Sequence, residues 1–169
     1  MFLRRVTRRD LPRLRVLYKE LGFDPILADV FFSRDAQGNF CVKMKNGRIV
    51  GHICCSYFRP FYLNIFLGKI GRKWGPVPHW LVRGFRFLRL LSSYEVSNII
   101  ILPQWRGRGY GKSLIQAGVY EACSRKEPFI QLLVHKDNLP ALELYKKCGF
   151  YVHSLWEMSK YVMRKDLFS

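Results

Sequence analysis

The stretch Ser97–Gly118 constrains the fold of this chain more than any other segment. Its apolar residues Ile99–Leu102 predict a buried strand, which ends at Pro103 because proline cannot donate to a strand ladder. Three glycines then stand at alternate positions: Gly107, Gly109 and Gly111. From Lys112 onward the apolar residues recur at helical spacing. The sequence therefore predicts a strand, a glycine-rich turn and a helix in direct succession.

The predicted turn is basic, since Arg106, Arg108 and Lys112 lie among its glycines. Glycine permits a positive φ and a close approach of backbone to ligand. The first turn of a helix adds unpaired N–H groups and the positive end of the helix dipole. The pattern predicts a phosphate or pyrophosphate site. It matches neither the P-loop, because Arg106 stands where that motif needs a glycine, nor the dinucleotide fingerprint, whose last glycine is replaced by Lys112.

The turn resembles the signature of the GCN5-related N-acetyltransferases (GNAT), which is Arg or Gln, two residues, Gly, one residue, and Gly or Ala. The segment Arg106–Gly111 fits it, and a second register starting at Gln104 fits as well. We choose the first register because it places the last glycine at the start of the helix. The resemblance implies a loop whose backbone binds the pyrophosphate of acetyl-coenzyme A (acetyl-CoA), after a strand that pairs with the pantetheine arm. The implied contacts are Ile101, Leu102, Arg106, Gly107, Arg108, Gly109, Tyr110, Gly111 and Lys112.

A second motif lies downstream, at Asn138–Phe150, and it resembles the family's Asn-x-x-Ala-x-x-x-Tyr-x-x-x-Gly-Phe. The resemblance implies that Asn138 and Tyr145 line the cofactor and that Tyr145 protonates the departing sulfur. The two residues are two helical turns apart and so face the same side of a helix. The alternatives are a plain helix N-cap for Asn138 and a packed aromatic ring for Tyr145.

Glu95 is the candidate base, because it is the only acidic residue between Asp35 and Glu121. It lies eleven residues before Arg106, an offset that resembles the histone acetyltransferase branch of the family. There, a glutamate on this strand deprotonates the amine, directly or through water. Strand alternation predicts that Glu95, Ser97, Ile99 and Ile101 share one face. The alternative is an ion pair with one of the 29 cationic residues.

The resemblance covers about residues 42–167 and implies an α/β fold. We expect one domain, 1–169, with a mixed, largely antiparallel sheet of six or seven strands flanked by helices. The pantetheine would enter between Tyr94–Leu102 and Phe129–Val134, where the sheet splays apart. The N-terminal part fits this order, since two predicted helices precede two strands around Asn46-Gly47, a strong hairpin signal.

The segment 58–93 departs from a compact member of the family. It is rich in aromatic and aliphatic residues, and no acidic residue occurs between Ala36 and Tyr94. We expect this insert to pack across the acceptor side or against a second subunit in a homodimer. The alternative is a membrane-surface helix at His79–Leu91, where arginines recur at every third position.

The net charge of +17 attracts acidic partners such as nucleic acid or anionic lipid, or the polyanionic coenzyme A itself. The five cysteines form no CxxC pair, which favours reduced thiols and a cytoplasmic location. The histidines show no metal-ligand spacing, so we expect no metal.

Together with these features, the resemblance implies an enzyme, an acetyl-CoA-dependent N-acetyltransferase that acts on a primary amine by direct attack in a ternary complex. The sequence leaves the amine open. The alternatives are a non-catalytic module that binds or senses acyl-CoA, and a basic GNAT protein associated with nucleic acid or membrane.

Overall fold

The structure is a computed structural model that describes residues 2–57, 93–156 and 158–168, without the side chain of Arg34. Within these ranges, the seven strands are β1 (Phe2–Arg5), β2 (Asn39–Lys43), β3 (Ile49–Tyr57), β4 (Tyr94–Ile101), β5 (Phe129–His135), β6 (Tyr151–Trp156) and β7 (Lys160–Asp166). The α-helices of the same ranges are α1 (Leu11–Glu20), α2 (Leu27–Arg34), α3 (Tyr110–Ser124) and α4 (Leu139–Lys147). The prediction for the insert at 58–93 lies outside the described residues, apart from Ser93.

The strands form a seven-stranded sheet in the order β1-β2-β3-β4-β5-β7-β6. Strands β4 and β5 run parallel, whereas the pairs β1–β2, β2–β3, β5–β7 and β6–β7 are antiparallel. The parallel register covers only Glu95↔Gln131 and Val96↔Leu132, although both strands continue beyond these residues. The sheet therefore opens between β4 and β5, as the sequence predicted.

The strand and helix on either side of the glycine-rich loop lie where the sequence predicted them, with small shifts at their ends. Near the N-terminus, Arg8–Asp10 form a 3-10 turn before α1 begins. The Asp10 carboxylate accepts hydrogen bonds from the N–H and hydroxyl of Thr7, 2.9 and 2.7 Å away, and from Arg4. These contacts fix the start of the turn.

Helices α1 and α2 pack on one face of the sheet and α3 packs on the other. The α1–α2 face carries His52, whose ring nitrogen lies 3.0 Å from the Tyr18 hydroxyl, and Cys54, whose sulfur donates to the Phe31 carbonyl. On the opposite side, a Cβ at Gly118 of α3 would lie 2.7 Å from the Cys55 sulfur. Because successive strand residues point to opposite faces, these contacts divide β3 between two layers.

Helix α4 lies on the same face as α3, which we call the α3–α4 face. A Cβ at Gly111, in the first turn of α3, would be 3.0 Å from the Leu144 methyl group. The glycine therefore lets the two helices approach closely at the end where the sheet opens. None of the helices in the described part of the chain is long and apolar enough to cross a bilayer.

The far end of α3 is anchored by buried charges. Glu121 is only 3% exposed and pairs with Arg5 of β1 and with Arg125. Burial raises the pKa of the Glu121 carboxyl, but the hydrogen bonds from Arg5 and Arg125 outweigh it and lower that pKa overall. Arg125 also pairs with Asp35 at 2.8 Å. This network holds α3 in one position on the sheet, and with it the glycine-rich loop at its other end.

Candidate active site

The loop between β4 and α3 owes its shape to two glycines with positive φ. Gly107 has a φ of +72° and Gly109 a φ of +81°, a region that residues with a Cβ rarely adopt. A Cβ at either position would have no atom within 4 Å, so neither glycine is needed to make room for the protein itself. Their conformation shapes a loop whose outer surface is open. Gly111 is different, since it makes room for Leu144.

The start of α3 presents backbone donors. Its N-cap is Gly109, which has no side chain to cap the first turn, and the first ladder bond runs from the Ser113 N–H to the Gly109 carbonyl at 3.1 Å. The N–H groups of Tyr110, Gly111 and Lys112 precede this bond, so they point out of the helix end. The arrangement is suited to an anion with several oxygen atoms.

The cations of the loop have distinct positions. The Arg106 side chain turns back, and its Nε donates to the Ile101 carbonyl at 3.2 Å. Arg108 lies over the Trp105 ring at 4.9 Å, and that ring stacks on Tyr110 at 6.3 Å. Lys112 is exposed. Arg106 therefore closes the end of the strand, while Arg108 and Lys112 supply positive charge at the surface of the loop.

The end of β4 forms one side of the opening in the sheet. The Leu102 N–H donates to the Val50 carbonyl at 3.0 Å, and its side chain is buried. Ile101 points to the α3–α4 face, because its Cγ1 would lie 3.3 Å from a Cβ at Gly51, as would a methyl group of Leu114. The neighbouring edge of β4 faces β5 across the gap.

Tyr145 lies in α4 with its ring buried, at 6% exposure, and tilted against Phe150 at 6.1 Å. Burial raises the pKa of its hydroxyl to about 12, so the group keeps its proton at neutral pH. Among the described residues no hydrogen bond involves this hydroxyl, whereas every fully buried side-chain polar atom in those ranges has a partner. The hydroxyl therefore reaches solvent-accessible space and is available as a donor.

Asn138 is the N-cap of α4, since its Oδ1 accepts from the Ala141 N–H at 3.3 Å. The capping interpretation of this residue is confirmed. Its contact with a cofactor stays a prediction, and its exposed position leaves the Nδ2 group accessible.

The predicted alternation along β4 is wrong. Tyr94 faces the α3–α4 side, where Arg125 lies 5.0 Å from its ring, so Glu95 points to the α1–α2 face. Ser97 contacts Ser56 at 2.6 Å and Asn98 contacts Tyr18 at 2.7 Å, which places two consecutive residues on that same face. Such a break is typical of a β-bulge. Because of it, Glu95 and Ile101 lie on opposite faces, not on one.

A buried polar chain on the α1–α2 face was not predicted from the sequence. It runs from Asn98 through Tyr18 and His52 to Asn39, and three of these residues are at most 1% exposed: Tyr18, Asn39 and His52. His52 is a packed histidine, and burial lowers its pKa to about 3, so it is neutral. The available signal was Asn98, an amide inside an apolar strand.

Among residues 2–57, 93–156 and 158–168, no group of three or more His, Cys, Asp or Glu side chains could hold a metal ion. The candidate site consists of a glycine-rich loop with backbone donors, an opened sheet and separate polar groups on its two faces.

The family model of the acetyltransferase (GNAT) family matches residues 4–150. This chain belongs to the GNAT acetyltransferase family. The match includes the loop at Arg106–Lys112 and the motif at Asn138–Phe150, so the resemblance that these two motifs carry is confirmed.

Two curated relatives show how far the similarity extends. An uncharacterized N-acetyltransferase of Methanocaldococcus jannaschii is 27% identical over 160 residues, which cover 88% of this chain and 59% of that protein. A mycothiol acetyltransferase of Thermobifida fusca is 36% identical over 63 residues, 37% of this chain and 19% of that protein. The chain spans less than two thirds of the length of either relative.

Solved structures share the GNAT fold. Ard1 from Thermoplasma volcanium superposes with a TM-score of 0.68 at 15% identity, covering 99% of this chain and 98% of that one. Naa20 from Chaetomium thermophilum, solved in complex with a bisubstrate analogue, gives a TM-score of 0.66 at 18% identity, covering 99% and 87%. At these identities the likeness concerns the fold, and it confirms the predicted α/β sheet flanked by helices.

Proposed function

We propose that this GNAT protein transfers an acetyl group from acetyl-CoA to a primary amine in a ternary complex. The observation that carries the proposal is the Tyr145 hydroxyl, which is protonated, accessible and without a protein partner among the described residues. It lies on the helix that packs against Gly111, in the first turn of α3, where the glycine-rich loop ends. A proton donor in this position has an evident use if a thiolate leaves beside it.

The glycine-rich loop is the proposed pyrophosphate site. The N–H groups of Gly107–Lys112 and the helix dipole favour a doubly charged group, and Arg108 and Lys112 add positive charge. The pantetheine arm would follow the free edge of β4 at Ile101, where the register with β5 has ended. This assignment gives each candidate residue from Ile101 to Lys112 a place along the cofactor.

The acceptor amine would approach from the α1–α2 face. Glu95 points to this face, whereas Tyr145 belongs to the α3–α4 face, so the candidate base and acid lie on opposite sides of the opening in the sheet. The connection between α1 and α2 adds the half-exposed Phe23, whose ring lies 6.4 Å from Tyr18. The amine and the thioester would then meet from opposite faces.

The reaction balances with the groups assigned here. The neutral amine nitrogen attacks the thioester carbonyl and forms the C–N bond, while the C–S bond breaks. The departing thiolate takes a proton from the Tyr145 hydroxyl, and the amine gives up a proton to Glu95 or to water. Because an alkyl amine has a pKa of ~10.4 and an α-amine ~7.7–8.0, a base is needed at neutral pH. Proton exchange with solvent restores both side chains.

We further propose a reducing compartment such as the cytoplasm. Cys41, Cys54 and Cys55 are buried and form no disulfide among the described residues, and burial raises the pKa of the Cys41 thiol to about 11. Thiols of this kind are unreactive and are typical of proteins that are not cross-linked. Association with anionic lipid or nucleic acid, or through a dimer, is suggested by the charge and the insert alone.

The test is release of free coenzyme A thiol from acetyl-CoA in the presence of a panel of primary amines: 2-phenylethylamine, spermidine and an N-terminally free tetrapeptide. We expect thiol release that depends on the amine and an acetylated product with the matching mass. Tight binding of acetyl-CoA without release for any amine would instead support the non-catalytic acyl-CoA module.

A further inference from the structure

In the buried chain on the α1–α2 face, the donor and acceptor of each hydrogen bond can be assigned, starting from Asn39. The Asn39 Nδ2 group donates to the carbonyls of Phe31, at 3.2 Å, and of Asp35. Its Oδ1 is therefore the atom that accepts from His52, and the Nε2 of His52, 2.9 Å away, carries the proton. Burial keeps the ring neutral, so its other nitrogen, Nδ1, is an acceptor.

The hydrogen-bonded chain continues from His52 through Tyr18 to β4. Tyr18 lies 3.0 Å from the His52 Nδ1 and donates its single proton to it. The Tyr18 oxygen is then left as an acceptor, and the group that faces it at 2.7 Å is the Nδ2 of Asn98. Two backbone carbonyls in the core thus determine the orientation of a side-chain amide on the surface of the opening.

With Nδ2 bound inward, the Oδ1 atom of Asn98 points away from the chain. In the described ranges no hydrogen bond is made by this atom, and every fully buried side-chain polar atom there has a partner. The Oδ1 atom is therefore an accessible acceptor. It lies at the break in β4, three residues after Glu95 and on the same face, just past the end of the register with β5.

We propose that the Oδ1 atom of Asn98 accepts a hydrogen bond from the acceptor amine, and that Tyr18, His52 and Asn39 are positioning residues that hold this amide in one orientation. An amine whose N–H is held on this face turns its lone pair toward the opening, where the thioester would lie. The inference rests on the proposed acetyl transfer and adds to it the group that recognises the acceptor nitrogen.

The neutral state of His52 is necessary to this arrangement. A protonated ring would carry two donors, and Tyr18 would have to accept from it. The Tyr18 proton would then face Asn98, whose amide would rotate and turn its Nδ2 group outward. A donor in that place would compete with the N–H groups of the amine. Burial keeps the His52 ring neutral, and with a neutral ring the Asn98 atom that faces outward is Oδ1, an acceptor.

The experiment compares steady-state kinetics of Asn98→Ala, Tyr18→Phe and the double variant, with acetyl-CoA and the amine of the panel that wild type acetylates fastest. Asn98→Ala removes the acceptor atom. Tyr18→Phe keeps the ring, which stacks on Phe31 at 6.2 Å, and removes the hydroxyl that links the Asn98 amide to His52. Tyr120→Phe is the matched control, because it removes a tyrosine hydroxyl from a residue that is 70% exposed on α3.

We expect Asn98→Ala to raise the KM for the amine by roughly 3- to 10-fold, the scale of one hydrogen bond, with the KM for acetyl-CoA unchanged. Tyr18→Phe should raise the amine KM by a smaller factor. In the Asn98→Ala background it should add nothing, because Tyr18 acts through that amide. Tyr120→Phe should change neither constant.

An amine KM that stays at the wild-type value in Asn98→Ala would overturn the inference and leave the acetyl transfer standing. Additive effects of the two substitutions would overturn the positioning role of Tyr18. If wild type releases no thiol with any amine while acetyl-CoA still raises its melting temperature, the proposed function fails first and this inference fails with it.

Discussion

The two faces of the sheet are built on different physical principles. The α3–α4 face presents backbone groups, since its loop takes its shape from Gly107 and Gly109 and exposes N–H groups at the start of a helix. The α1–α2 face presents side chains, since Asn98 is oriented by Tyr18 and His52 through a hydrogen-bonded chain whose inner members are buried. The first face uses local geometry, and the second uses contacts between residues that are distant in the sequence.

The two faces would therefore bind two kinds of molecule: a cofactor that is always the same, and an acceptor amine that is specific to the protein. Every acetyl-CoA molecule has the same pyrophosphate, and a loop of backbone donors would recognise it without regard to most side chains. Acceptor amines differ from one another, so the face that would receive them has to present particular side chains at particular positions. We therefore expect substitutions on the two faces to affect different kinetic constants.

Gly109→Val should have the largest effect, which is loss of acetyl-CoA binding. A β-branched residue disfavours a φ of +81° and places methyl groups over the loop. Because a Cβ there meets no atom within 4 Å, the unliganded protein should stay folded. The measurement is the rise in melting temperature that acetyl-CoA causes by mass action.

Gly22→Val is the matched control for this prediction. Gly22 lies after α1 and has the same kind of φ, +77°, and again a Cβ would meet no atom within 4 Å. We expect this variant to retain the full acetyl-CoA shift. Equal loss in both variants would mean that backbone strain, and not the site, explains the result.

Tyr145→Phe should lower kcat by roughly 10- to 1000-fold, within the usual range of general acid catalysis of ~10²–10⁴ or just below it. The ring is kept, so the affinity for acetyl-CoA should change little. Single-turnover and steady-state rates with the fastest amine of the panel provide the measurement. An unchanged kcat would assign Tyr145 to packing and leave water as the proton donor.

Glu95→Gln should lower kcat at neutral pH by about 10- to 100-fold, because the substitution removes the candidate base and keeps the shape of the side chain. Acetyl-CoA affinity should stay the same, since Glu95 belongs to the α1–α2 face. Glu143→Gln is the control, because Glu143 is an exposed partner of Lys147 on α4. Equal rates for Glu95→Gln and wild type would favour an ion-pair role for Glu95.

The buried His52 should make the α1–α2 face sensitive to acid. Burial lowers its folded-state pKa to about 3, well below the ~6.5 of an unfolded chain, so between these values the unfolded state binds more protons. Stability then falls as the pH drops from 6.5, and His52 alone should cost about 2 kcal/mol between pH 7 and 5.

Urea unfolding at several pH values measures this slope. The slope gives the number of protons taken up on unfolding, and His52→Gln should reduce this number by about one. His153→Gln, at an exposed position on β6, should leave it unchanged. If the free energy of unfolding of His52→Gln depends on pH as strongly as that of wild type, another group causes the acid sensitivity. The assignment of a neutral His52 would then have no support.

The sequence predicted the α3–α4 face well because its determinants are local. Glycines, cations and helix periodicity lie within a short stretch, so Gly107, Gly109 and the start of α3 could be read from it. The α1–α2 face could not be read in the same way, since Tyr18, His52 and Asn98 meet only in the folded chain. The break in alternation at Ser97 and Asn98 has no local glycine or proline to mark it, which is why the face of Glu95 relative to Ile101 was predicted wrongly.

The central claim is that acetyl-CoA binds at the glycine-rich loop, and glycine amide resonances test it most directly. Uniformly ¹⁵N-labelled protein is titrated with acetyl-CoA while the amide signals of Gly107, Gly109 and Gly111 are compared with those of Gly22 and Gly47. The account predicts that the three loop signals shift together and saturate with one dissociation constant, while the two control signals stay in place. Loop signals that do not move, under conditions where acetyl-CoA raises the melting temperature, would contradict it.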